Sequence, residues 1–231
     1  MHARHLPVWG LDRDSRYGWS AEESVIRIDP KTTAVVSIDM HRGHLDPTVA
    51  TMPLGPEQCR RVVEAAKELF DALRPLGVPV VHMVTLYRDS GEAASNPFWK
   101  AIADDPAMKR SSNLRHNLLG SPGTQVIPQL LDRRDIVIDR KKRYDCFYQT
   151  DLDFVLRHRF GARTLIITGV NTTSCVQCTA FEAHTRDYGV VVAADCVDSM
   201  DGEEMHRFAL RNMAATVGWV LRNGEILAAA R

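Results

Sequence analysis

The chain has 231 residues, of which 45% are hydrophobic and 25% charged, a composition typical of a globular protein of one large domain. Its 29 basic residues balance 29 acidic ones, so no bulk charge draws it to nucleic acid or to an anionic membrane, and a small-molecule partner is expected. No apolar stretch approaches the roughly 18 residues of a membrane span, and five cysteines without a framework-like spacing predict free thiols in a reducing, cytoplasmic compartment.

The first half of the chain predicts two strands, one helix and a long irregular segment. Residues 1–30 are mixed and contain tryptophan, and we expect an arm that lies over a neighbouring subunit or over the domain itself. Apolar runs predict strands at about 33–39 and 78–84, and helical spacing of apolar residues predicts a helix at about 57–75. Residues 86–124 have no strong period and predict an irregular insertion with short helical pieces, of the kind that forms lids or binding segments.

The second half alternates strands with helices. The predicted elements are strands at about 135–140, 164–168 and 190–194, and helices at about 150–159, from Cys175 onward and at about 202–215. An Asn-Gly pair within 217–227 predicts a small hairpin. This alternation predicts an α/β fold with three layers, in which a mainly parallel, six-stranded Rossmann-like sheet carries helices on both faces over residues 31–231.

Three chemically active side chains follow predicted strands. Asp39 ends the first strand, Lys141 ends the third, and Cys175 comes after a strand and a short polar turn. The carboxyl ends of parallel strands form the edge at which open α/β sheets place their ligand crevice. A cysteine in the first turn of a helix also meets the positive end of the helix dipole, which favours thiolate over thiol.

Three blocks in this order resemble the isochorismatase-like cysteine hydrolases over about residues 32–220. They are VVSIDM at 35–40, KKRYDCFYQTDL at 141–152 and TGVNTTSCV at 168–176. The family includes nicotinamidases, N-carbamoylsarcosine amidohydrolase, biuret hydrolase and ureidoacrylate amidohydrolase. The second block most resembles that of the ureidoacrylate and biuret hydrolases, so the resemblance implies a carbamoyl or ureido substrate.

The resemblance also implies a mechanism in which Cys175 attacks a carbonyl carbon and forms a thioester, with release of ammonia. Lys141 would stabilise the thiolate, and Asp39 would accept and later return its proton. The backbone N–H groups of Asn171 and Cys175 would form the oxyanion hole. A non-proline cis peptide is expected between Val170 and Asn171. The chemistry requires no metal and no organic cofactor, and the family is commonly oligomeric, so a homo-oligomer, dimer or tetramer, is expected.

Some residues allow a second interpretation. Lys142 is adjacent to Lys141, which is preferred because it falls in the family's register. Cys175 and Cys178 form a C-x-x-C pair, which leaves a dithiol redox protein as an alternative function, whereas zinc would need a second ligand pair. His41 and His44 suggest a metal site together with the first aspartate, but residues that line the substrate mouth are the favoured interpretation.

The substrate pocket is the least determined part of the prediction. Aromatic residues that could form its walls are Phe98, Trp99, Tyr144 and Phe147, and arginines that could bind a substrate carboxylate are Arg88 and Arg143. Nicotinamidases carry an aspartate and histidines for a metal after the second strand, whereas this chain has TLYRDS at 85–90. This difference argues against a nicotinamidase, and a nicotinamidase or maleamate-type amidase is kept as the alternative within the family.

Overall fold

The computed structural model describes residues 26–230, and the greater part of the predicted arm, residues 1–25, lies outside them. Six strands form one sheet in the order β3-β2-β1-β4-β5-β6, and every neighbouring pair is parallel. The strands are β1 Thr33–Ile38, β2 Val80–Thr85, β3 Ile136–Lys141, β4 Thr164–Val170, β5 Gly189–Asp198 and β6 Trp219–Leu221. The α/β fold predicted from the sequence is thus confirmed.

Helices cover both faces of the sheet. They are α1 Arg42–Leu45, α2 Pro56–Leu73, α3 Ser90–Ala94, α4 Pro97–Ala103, α5 Leu152–Phe154, α6 Gln177–Thr185, α7 Glu203–Thr216 and α8 Asn223–Ala229. One π-helical turn, Val155–Arg159, continues α5, and another, Thr172–Val176, precedes α6. None of the helices within residues 26–230 is long and apolar enough to cross a bilayer.

The strands supply apolar side chains to two separate cores, because successive residues of a strand point to opposite faces. Val36 and Ile38 of β1 pack on the face covered by α5, α6 and α7. Val35, between them, packs on the opposite face with Leu69 and Phe70 of α2. Burial on both faces explains why β1 is apolar throughout, as in other parallel sheets.

The predicted hairpin at the C-terminus is wrong. Residues Trp219–Leu221 pair parallel with β5 as an edge strand, and Asn223 begins helix α8. The Asn223 N–H donates to Asp195 Oδ2 at 2.8 Å, and the Glu225 carboxylate accepts from the Arg222 N–H at 2.8 Å. These contacts satisfy the unpaired backbone N–H groups at the start of a helix. A two-residue turn has no such groups to satisfy.

The insertion at 86–124 contains α3, α4 and single 3₁₀ turns. The Asn96 side chain starts α4 by accepting from the N–H groups of Phe98 and Trp99. The Trp99 ring then packs edge-on against Tyr87, with 6.3 Å between ring centroids, and against Tyr144 at 5.3 Å. These contacts hold the insertion against the carboxyl-terminal edge of the sheet.

Gly169 allows β1 and β4 to approach closely beside the end of β1. Its φ is 115°, and a Cβ placed on it would lie 1.9 Å from the carbonyl oxygen of Ile38. Ile38 directly precedes Asp39, so the position of that carboxylate depends on a residue without a side chain at 169.

We expect Gly169→Ala to lower the free energy of unfolding by about 3 kcal/mol or more, because it combines an unfavourable φ with a backbone overlap. Chemical denaturation monitored by circular dichroism measures the change. Gly224→Ala is the matched control, since a Cβ there has no neighbour within 4 Å. Equal stability of the two variants would contradict the close approach.

Candidate active site

Asp39, Lys141 and Cys175 meet at the carboxyl-terminal edge of the sheet. Lys141 Nζ lies 2.6 Å from Asp39 Oδ2 and 3.3 Å from Cys175 Sγ. All three are buried, with exposed fractions of 1% for the acid and the lysine and 6% for the cysteine. A lysine side chain is almost never fully buried unless it is paired, so this arrangement indicates a built site.

Thr85, at the end of β2, holds the acid and the lysine in place. Its backbone N–H and its hydroxyl both donate to Asp39 Oδ1, at 3.0 and 2.9 Å, and its hydroxyl accepts from Lys141 Nζ at 2.8 Å. Asp39 itself has a left-handed backbone with φ of 51°. Sequence reasoning missed Thr85, although its place at a strand end between β1 and β3 is the signal that could have found it.

The loop after β4 positions the thiol. The Val170–Asn171 peptide is cis, as the resemblance implied. The Asn171 carbonyl accepts from the N–H groups of Ser174 and Val176, and its side-chain Oδ1 accepts from the Met200 N–H at 2.9 Å. Asn171 therefore fixes the start of the loop, and both residues expected to form the oxyanion hole, Asn171 and Cys175, face one cavity.

Burial and the neighbouring charges decide the protonation of the three groups. Burial raises the pKa of Cys175 to about 12, although the Lys141 charge opposes this. Burial alone would raise the pKa of Asp39, but the Lys141 ammonium keeps it well below its ordinary value, and Asp39 in turn keeps the pKa of Lys141 well above its own. Burial and the neighbouring charges thus favour an ion pair of Asp39 and Lys141 beside the thiol, and desolvation of Cys175 opposes the preference for thiolate that a helix start provides.

The cavity beside Cys175 is lined by strand ends, the segment after β1 and the insertion. Three predicted pocket residues line it, namely His44, Trp99 and Tyr144. Arg143, the second arginine considered for a carboxylate, lines it as well. Sequence reasoning missed further lining residues, among them Arg110 and His116, because the insertion that carries them has no readable period.

The remaining predicted pocket residues lie elsewhere, and their assignment to the pocket is wrong. Arg88 is 78% exposed and pairs with Glu92, and Phe98 is 67% exposed. Phe147 packs in the core on Tyr188, with 6.0 Å between ring centroids. Arg88 and Phe147 are held by local partners, and Phe98 of α4 is exposed to solvent. Nearness to pocket residues in the sequence therefore did not bring these side chains into the pocket.

His41 and Lys142 also differ from the sequence-based alternatives. His41 is fully buried behind the cavity, with Nε2 2.8 Å from Asn117 Nδ2 and 3.5 Å from Asp39 Oδ1. Lys142 turns away from the thiol, because its Nζ donates to the Leu86 carbonyl and to Glu92 Oε2. Lys141 is therefore the lysine that reaches Asp39 and Cys175.

Three histidines form the group that could hold a metal ion within residues 26–230. His41 and His44 follow β1, and His116 comes from the insertion. One ring nitrogen of each lies within 4.8 Å of those of the other two. The sequence suggested only the first two as metal ligands, since nothing in the insertion marked the third.

Comparison with known proteins identifies the same family as the sequence blocks. The isochorismatase domain model matches residues 33–225. The ureidoacrylate amidohydrolase of Methylobacterium radiotolerans is 29% identical over 225 residues, which cover 93% of this chain and 86% of that protein. The predicted family and the predicted enzyme class, a hydrolase, are confirmed.

Solved structures show the same fold. A cysteine hydrolase from Pseudomonas syringae pv. phaseolicola superposes with a TM-score of 0.73 at 22% identity, over 98% of this chain and 97% of that one. N-carbamoylsarcosine amidase from Thermoplasma acidophilum gives a TM-score of 0.62 at 25% identity, over 83% of this chain and 96% of that one.

We expect Lys141→Met to destabilise the protein by about 3–5 kcal/mol, because it leaves the Asp39 carboxylate buried without its cation. The double variant Asp39→Asn/Lys141→Met should recover most of this loss. Urea denaturation measures both. Lys67→Met is the control, since Lys67 forms an exposed pair with Asp71 that should contribute less than about 1 kcal/mol. Equal losses in the single and double variants would show that charge burial is not the cause.

We expect the alkylation rate of Cys175 by iodoacetamide to be low at pH 7 and to rise about tenfold per pH unit to at least pH 10, because only the thiolate reacts. The Cys178→Ser background and peptide mass spectrometry isolate the reaction at Cys175. A rate that levels off below pH 8 would mean that the thiolate exists at rest.

Proposed function

The chain belongs to the isochorismatase family of hydrolases, and we propose that it is a cysteine amidohydrolase that cleaves a linear amide or ureido C–N bond of a small molecule. The single observation that carries this proposal is the position of Lys141 Nζ, within 2.6 Å of the Asp39 carboxylate and 3.3 Å of the Cys175 sulfur. An acid–base group, a cation and a nucleophile then face one cavity, which is the set that thioester chemistry needs.

In the first step, Cys175 Sγ attacks the carbonyl carbon while its proton passes to Asp39. Because burial raises the pKa of the thiol, the proton leaves as the S–C bond forms. Lys141 stays protonated and stabilises the negative charge as it moves from the carboxylate to the sulfur. The oxyanion that forms on the former carbonyl oxygen is stabilised by the backbone N–H groups of Asn171 and Cys175.

The tetrahedral intermediate then collapses, and its C–N bond breaks. Asp39 returns the proton to the departing nitrogen, so that ammonia leaves and a thioester to Cys175 remains. A water molecule next attacks the thioester carbon, with Asp39 as the base that accepts its proton. Cleavage of the C–S bond releases the acid and restores the thiol.

The substrate class is proposed to be a ureido or carbamoyl acid. Two relatives are named for such compounds, ureidoacrylate and N-carbamoylsarcosine. Within the cavity, Arg110 already pairs with Asp201 at 2.6 Å, whereas Arg143 has no carboxylate partner in the part of the chain that the structure describes. The Arg143 guanidinium stacks on Trp99, 5.1 Å from the ring centroid. Its Nη1 donates to the Lys142 carbonyl and its Nη2 to Ser95 Oγ, and its other N–H groups can bind a substrate carboxylate.

Two further expectations stay predictions. These are the homo-oligomeric state, dimer or tetramer, and the cytoplasmic location. The alternatives, a dithiol redox protein and a nicotinamidase or maleamate-type amidase, are decided by the measurement described next.

We expect ammonia release from a panel of ureido acids, biuret, N-carbamoyl amino acids, maleamate and nicotinamide to be fastest with a ureido or carbamoyl acid. Cys175→Ser should lower the rate roughly 10⁴-fold or more, because it removes the nucleophile. Arg143→Met should raise KM for the acid more than for the matching neutral amide. An enzyme-coupled ammonia assay measures all three.

Cys178→Ser is the matched control and should retain ammonia release. Equal loss of activity in the Cys175 and Cys178 variants would favour the dithiol alternative. Turnover of nicotinamide or maleamate alone would support the other amidase branch, and no turnover with any amide would contradict the proposed function.

A further inference from the structure

The three histidines near the active site, called here the His cluster, are His41, His44 and His116. The ring centroids are 4.9, 5.4 and 4.4 Å apart, and the ring planes are inclined to one another by 19°, 47° and 42°. Their exposed fractions are 0%, 3% and 3%. Three imidazoles buried together in this way need an explanation, since each carries a donor or acceptor that water cannot reach.

Among the residues that the structure describes, two ring nitrogens of the His cluster find no hydrogen-bond partner. They are Nδ1 of His41 and Nε2 of His116. Nδ1 of His44 lies 2.7 Å from the Met52 carbonyl oxygen, which can only accept, so its proton is on Nδ1 and a lone pair remains on Nε2. Each ring therefore has one nitrogen that can serve as a ligand.

The second nitrogen of each ring faces a hydrogen-bond partner. Nδ1 of His44 faces the Met52 carbonyl at 2.7 Å, and Nδ1 of His116 faces the Thr51 hydroxyl at 2.8 Å. His41 Nε2 faces the Asp39 carboxylate at 3.5 Å. Carbonyl, hydroxyl and carboxylate partners on the far nitrogen are the usual support of metal-bound histidines. The Asn117 amide nitrogen, which donates to the Thr85 carbonyl, also donates to His41 Nε2 at 2.8 Å, and this contact favours a proton on Nδ1. His41 therefore has to shift its proton to Nε2, towards the Asp39 carboxylate, before Nδ1 can bind an ion.

The separations of the rings agree with those around a single ion. Zinc binds imidazole nitrogen at about 2.0–2.1 Å, which places each ring centroid about 3.2 Å from the ion and the centroids about 5 Å apart in tetrahedral geometry.

We propose that the His cluster binds one divalent ion of the zinc type through His41, His44 and His116. Imidazole ligands suit zinc and its neighbours among the transition metals better than calcium or magnesium. His44 and His116 line the cavity that contains Cys175, so the fourth position of the ion faces that cavity, where a water or a substrate oxygen can bind. The ion contacts the substrate there, while Cys175 remains the nucleophile.

The charges around the cluster permit a cation. Asp39 is the nearest acid, and its charge acts on both His44 and His116. Two positive charges oppose that of Asp39. Arg110 acts on His44, and Lys141 acts on His116. Each of these cations is paired, Arg110 with Asp201 and Lys141 with Asp39, so the divalent ion does not face an uncompensated positive charge.

The proposal is tested by titrating the full chain, freed of metal by a chelator, with Zn²⁺ in a calorimeter and with Co²⁺ in a visible spectrometer. We expect one ion per chain and a visible Co²⁺ spectrum typical of an ion with four or five ligands. His44→Ala and His116→Ala should each weaken binding by about 100-fold or more, since loss of a ligand costs more than loss of its hydrogen-bond partner. His116→Gln, which keeps a polar side chain, should lose the ion as well, and circular dichroism confirms that each variant is folded.

Three controls identify the ligands. His184→Ala removes an exposed histidine of α6 and should leave binding unchanged. His2→Ala/His5→Ala tests two histidines outside the described residues, and Cys175→Ser/Cys178→Ser tests the C-x-x-C pair. Ion binding that survives in the folded His116 variants, or that is lost in one of these controls, would overturn the proposal, as would no binding at micromolar Zn²⁺. The titration contains no substrate, so its failure is separate from failure of the proposed amidohydrolase activity.

Discussion

The buried ammonium of Lys141 is the constraint on which the site depends. A lysine charge removed from water costs several kcal/mol unless it is paired and hydrogen-bonded. Here Nζ donates to Asp39, to Thr85 and to Cys175. These partners come from the ends of β1 and β2 and from the loop after β4, so the cost is offset only when the strands are in their correct order.

The same ion pair determines how charge moves during the proposed reaction. The carboxylate, the ammonium and the thiol carry no net charge together, and transfer of the thiol proton to Asp39 leaves that sum unchanged. A buried site can therefore form its nucleophile without importing or losing a charge, which would be expensive in a medium of low dielectric constant. This explains why a thiol with a raised pKa is compatible with nucleophilic chemistry.

The sequence predicted the sheet and the three central side chains because both leave local signals. Strands buried on two faces are continuous apolar runs, and Asp39, Lys141 and Cys175 are polar residues at their ends. The C-terminal Asn-Gly pair failed as a turn signal because Glu225, three positions after Arg222, completes a helix start there. Arg110 and His116 could not be found, because their positions depend on the packing of Trp99 against Tyr87 and Tyr144 rather than on any period.

The insertion is a structural part of the candidate active site and not only a cover over it. Asn117 donates to the Thr85 carbonyl at 2.8 Å and contacts His41 at the same distance. A Cβ on Gly43, in α1, would lie 2.1 Å from Asn117 Oδ1, so the segment after β1 and the insertion fit against each other without space for a side chain. Thr85 in turn holds Asp39. Under the proposed function, a change in the insertion that alters substrate recognition would also reach the Asp39 carboxylate through two hydrogen-bonded residues, Asn117 and Thr85.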